Sequence, residues 1–64
     1  MKVERVINWF ITNGMSQAAH DLELMCIEVE SMSVLNMQMF FETVYDTEDE
    51  AEYMLNEMLH DIDE

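Results

Sequence analysis

Glu57-Met58-Leu59-His60 sets a carboxylate and an imidazole at the Glu-x-x-His spacing that binds iron in di-iron bundles. That chemistry needs a second such pair and two further glutamates pointing inward, and the sequence holds no second pair. The acidic run Asp46-Thr47-Glu48-Asp49-Glu50 lacks the glycine and the ligand order of a calcium loop. One cysteine, Cys26, with His20 and His60 does not make a closed zinc site at any standard spacing. Ser16, His20 and Asp21 are close in sequence, but a catalytic triad is defined by a geometry that one helical turn does not supply. Cys26 has apolar neighbours and no basic one, so it reads as an inert thiol rather than a nucleophile. The expectation is a protein with no enzymatic activity, no cofactor and no dedicated metal site.

The carboxylates support a different chemistry. Residues 46–64 carry nine acids without a Lys or Arg. Within them Ala51, Met54, Leu55, Met58, Leu59 and Ile62 form one helical apolar stripe. At about 100° per residue, Glu50, Glu57, Asp61 and Glu64 line one flank of that stripe, and Asp49, Glu52 and Asp63 the other. Acids near the helix start suit the positive end of its dipole, whereas Asp61, Asp63 and Glu64 sit at the end where cations are preferred. Pairs four apart, Glu48–Glu52 and Glu57–Asp61, repel by a few tenths of a kcal/mol. Residues four apart rise about 6 Å along a helix, comparable with neighbouring phosphates on one nucleic-acid strand. Asp49, Glu50, Glu52, Glu57, Asp61 and Glu64 are therefore expected to act as phosphate stand-ins against a basic protein surface. Trp9, one turn from Arg5, joins them as a candidate interface anchor, its other reading being a ring packed over the core edge.

Composition narrows the class of function. Fifteen acids against two bases give the 64-residue chain a net charge of −13, which argues against direct binding to nucleic acid or to an anionic membrane. Half the residues are hydrophobic, more than a disordered acidic tail contains. No uncharged run, Ser31 to Phe41 included, reaches the roughly 20 residues that span a bilayer. "VINWFI" after Arg5 is too short for a signal peptide, so a cytoplasmic protein is expected. Short length, strong acidity and the lack of a catalytic signature make this profile similar to small phage-encoded inhibitors that block host nucleic-acid-binding proteins. The resemblance is one of profile and rests on no motif. It implies a phage-type DNA mimic acting in the host-cell cytoplasm.

The elements that must hold these residues read mainly as helices, because proline is absent and Gly14 is the one glycine. Val3, Val6, Ile7, Phe10 and Ile11 fit a first amphipathic helix, stopped at Asn13-Gly14. Ser16 is the expected cap of a second helix running through Glu30, with Ala18, Leu22, Met25, Val29 and Met32 on its stripe. Leu24 and Ile27 fall off that stripe, which hints at a wide burial face or a homodimer contact. Residues 34–45 fit a helix capped by Ser33, or a strand on their alternation of Leu35, Met37, Met39 and Phe41 against polar and aromatic positions. Thr47 and Glu50 have capping-box spacing for the last helix. The expected fold is all-α, a small bundle of three to four short helices in one acidic domain, residues 1–64. The alternative is α+β, with residues 36–45 a strand that could pair as a hairpin with 24–30. The rival function is a structural, oligomerisation or adaptor module that binds a protein partner through its hydrophobic helix faces.

Overall fold

The computed structural model describes residues 1–62. Four helices follow one another: α1 (Val3–Thr12), α2 (Ser16–Met25), α3 (Val34–Val44) and α4 (Glu48–Asp61). The protein is all-α, and residues 34–44 are helical rather than a strand. The chain divides into two compact units, Met1–Met32 and Ser33–Glu64.

In the first unit α1 packs on α2. Lys2, the residue before α1, is extended and offers no side-chain cap. The orphan amide of Val3 instead donates to the carbonyl of Glu30 at 2.9 Å, a backbone replacement for the missing cap. Asn13-Gly14 ends the helix as expected. Gly14 adopts φ +75°, its N–H donates to Ile11 O at 3.1 Å, and Met15 N–H reaches Phe10 O at 2.8 Å. These two bonds are the Schellman closure, secured further by Asn13 Nδ2 donating to Trp9 O. The closure leads straight into α2 with Met15 as its N-cap, so Ser16 is the first helical residue and does not cap.

α2 stops at Met25, five residues short of the expected Glu30. The backbone of residues 30–32 is committed elsewhere. Lys2 and Ser31 form an antiparallel bridge, Met32 N–H donates to Met1 O at 2.9 Å, and the Met1 ammonium donates to Met32 O at 2.9 Å. With Val3 N–H on Glu30 O, this pairing satisfies groups that a continued helix would have used, and β-branched Val29, outside any helix, favours the extended form. The buried set here is Val3, Val6, Trp9 and Phe10 with Ala18, Ala19 and Leu22. The α1 face is thus turned toward Trp9, leaving Ile7 half-buried and Ile11 exposed. Met25 and Val29, expected in the core, are exposed as well.

In the second unit α3 and α4 form a helical hairpin through Tyr45–Thr47. Ser33 Oγ accepts from Asn36 N–H at 3.1 Å, and Thr47 Oγ1 accepts from Glu50 N–H at 3.1 Å, so both expected caps are in place. Met37, Phe40 and Phe41 are buried on α3 at the i, i+3, i+4 spacing, which is why the helical period prevails over the alternating one. Leu35 and Met39, on the strand pattern, face outward. Ala51, Leu55 and Met58 are buried on α4, with Met54, Leu59 and Ile62 at the edge. Among the described residues the core is wholly apolar, and no buried side-chain nitrogen or oxygen lacks a partner.

Candidate protein-binding surface

α4 carries the acidic surface because its apolar stripe fixes which way every other residue points. With Ala51, Leu55 and Met58 buried, Asp49, Glu50, Glu52 and Asp61 are exposed and Glu57 is half-buried. Glu50, Glu57 and Asp61 follow one flank, separated by rises of about 10 Å and then about 6 Å. Glu52 lies on the other flank, and Asp49 nearer the outermost line. Glu64 lies outside the described residues. Glu48, Asp49 and Glu50 fill the first turn, where the positive dipole end favours them. At the opposite end His60 is the basic residue of the last turn.

The charge is divided unequally between the two units. Ser33–Glu64 holds ten of the fifteen acids and neither Lys2 nor Arg5. The α3–α4 hairpin itself therefore carries fixed side-chain charge of one sign, His60 apart, and such charges act over roughly the 8–10 Å of a Debye length at ordinary ionic strength.

Tyr53 was not singled out from sequence, yet it stands in the middle of this surface. It is 62% exposed on the side of α4 away from the buried stripe. Hydrogen bonding with the Glu57 carboxylate, and then the negative charge of Glu57, raise the Tyr53 pKa above the ordinary 10.0. The signal was available: position 53 falls opposite Ala51, Leu55 and Met58 on a helical wheel, and an exposed Tyr among acids suits a guanidinium laid on its ring. Tyr45, at the α3 C-cap, also has a raised pKa, from burial and then from the charge of Glu50.

Trp9 occupies a different place from the one a surface anchor needs. It is 6% exposed and meets Phe10 edge-on, with ring centroids 5.3 Å apart. Its burial matches the core-edge reading, and it is not carried into the binding set.

The other chemistry-bearing residues stay dispersed. Ser16, His20 and Asp21 are exposed on α2, where Asp21 accepts from Gln17 Nε2 at 3.0 Å. The Cys26 thiol is half-buried and lies 3.4 Å from the Met32 thioether, to which it donates. Among the described residues no three His, Cys, Asp or Glu side chains gather as a metal-ion set. Among the same residues no helix is long and apolar enough to cross a membrane. No protein-family model, curated protein or solved structure matches the chain.

Proposed function

We propose that this chain is a non-enzymatic, phage-type inhibitor that binds a nucleic-acid-binding protein by presenting α4 as a substitute for a phosphate backbone. The observation that carries the reading is the concentration of exposed carboxylates on a hairpin whose sequence contains no Lys or Arg. A helix selected only for solubility would mix signs. Here the self-repulsion is accepted, and the return is a field that attracts a cationic groove and accelerates encounter. Asp49, Glu50, Glu52, Glu57 and Asp61 supply charge, with Glu64 continuing the same flank by sequence. Tyr53 adds a flat aromatic contact beside Glu57. The partner is a protein with a basic surface, met in the cytoplasm of a host cell, and nucleic acid is the competitor rather than the ligand.

The test begins with capture of partners from host lysate at low salt and continues with displacement of labelled DNA from each captured protein. Unaltered protein should release the DNA, whereas the Glu50→Lys, Glu57→Lys, Asp61→Lys triple variant should not. Affinity should fall at least tenfold between about 50 and 200 mM salt. Salt-independent binding, or full activity in the triple variant, would reject mimicry.

The rival is an adaptor or oligomerisation module acting through apolar faces. It draws on the exposure of Leu24 and Ile27 in the first unit and of Leu35 and Met39 in the second. Under that reading the triple variant keeps its partner, and a Leu35→Asn, Met39→Asn variant loses it. A homodimer built on either face would appear as concentration-dependent sedimentation.

A further inference from the structure

The first unit contains a groove of about 520 Å³, walled on one side by α1 and on the other by the end of α2 and the segment after it. Its α1 wall is the stripe Glu4, Ile7, Asn8 and Ile11, which repeats at three and four residues and runs about two turns. Facing it are Glu23, Cys26, Val29 and Glu30. Ile11 is 55% exposed and Val29 47% exposed, so the apolar lining is open to an incoming group. Both were expected in the core, and both were displaced by the fold into this groove.

We infer that this groove docks a short cationic amphipathic helix of a partner protein, its apolar side chains between Ile7, Ile11 and Val29 and its Lys or Arg residues against Glu4, Glu23 and Glu30. Charge selects this occupant. Three carboxylates line the groove against one ammonium, Lys2, on a molecule of net charge −13. A second copy of the chain would bring the same sign of charge to the contact, and an anionic lipid surface would be repelled in the same way. A helix with anchors at i, i+3, i+4 and i+7 matches the two-turn wall in length and period. The inference does not rest on α4, which belongs to the other unit.

The probe is a labelled peptide of Leu and Lys with leucines at the first, fourth, fifth and eighth positions, set against a scrambled peptide of identical composition. Fluorescence anisotropy reads the ratio of the two affinities, which removes the general attraction of any cation for this protein. The amphipathic peptide should bind about tenfold tighter than the scrambled one. The α4 triple Lys variant should lose affinity for both peptides and keep the ratio. Ile11→Asn and Val29→Asn, which leave the charge unaltered, should each bring the ratio close to one. Circular dichroism checks that each variant is helical, and Val29→Asn, outside any helix, carries the test if Ile11→Asn unfolds. Equal binding of the two peptides, or a ratio that survives both groove variants, overturns the assignment. So does a wild-type dimer in sedimentation that Ile11→Asn dissolves, since the occupant would then be a second copy.

Discussion

At the scale of single residues, Gly14 and the tyrosines Tyr45 and Tyr53 give the sharpest expectations. A Cβ at Gly14 meets nothing within 4 Å, so Gly14→Ala should be disfavoured by backbone conformation alone, costing about 1 kcal/mol. Gly14→Asn should recover much of that loss, because Asn tolerates the left-handed region. Urea melts of both variants check this, and equal stability of the Ala and Gly forms would contradict it. Tyr45 and Tyr53 have folded pKa values raised above 10.0. A raised folded pKa means that the neutral phenol is favoured by folding, so the associated stability is complete below pH 10 and is lost as pH rises through the folded values. Thermal melts should hold steady toward pH 10 and then decline, with tyrosinate absorbance rising over the same alkaline range. Tyr45→Phe should flatten the decline. Tyrosinate midpoints below about 10 would refute the expectation.

At the scale of elements, α4 depends on its cap and its stripe. Thr47→Ala removes the acceptor of the Glu50 amide and should cost about 1 kcal/mol. Leu55→Ala, at a buried position, should cost about 2–5 kcal/mol. A chain of this size has a total stability of about 3–10 kcal/mol, so chemical denaturation should find Leu55→Ala stripped of a large share of it and Thr47→Ala weakened far less. α4 was legible in the sequence because cap, first-turn acids and stripe all agree. α1 was legible at its C-terminus, where Asn-Gly dictates a backbone conformation, but not in its facing. Which of Trp9 and Ile11 is buried depends on what lies across from α1, and periodicity carries no such information. The early end of α2 was hidden for a similar reason. It is imposed by hydrogen bonds to residues 1–3, nearly thirty positions away in the chain, and no local signal at Met25 announces it. The stripe of α4 was read from sequence, and it leaves Asp49, Glu50, Glu52 and Asp61 exposed and Glu57 half-buried, whereas the groove beside Ile11 and Val29 came into view only once those two residues proved exposed.

At the scale of the whole molecule, charge is the dominant quantity. A net −13 on 64 residues destabilises any compact state through self-repulsion, and dissolved salt screens it. The melting temperature should therefore rise with sodium chloride even as affinity for a basic partner falls. Opposite salt trends of stability and binding are the signature, and a melting temperature indifferent to salt would remove the argument that repulsion is held in store for recognition. The backbone bonds between residues 1–3 and 30–32 have a consequence of a different kind. They close the first half of the chain into a non-covalent ring, in which the far ends of the sequence segment guard one another. Amide hydrogens of Val3 and Met32 should exchange with solvent in step, and loosening the first residues should unlatch the stretch that carries Val29 and Glu30.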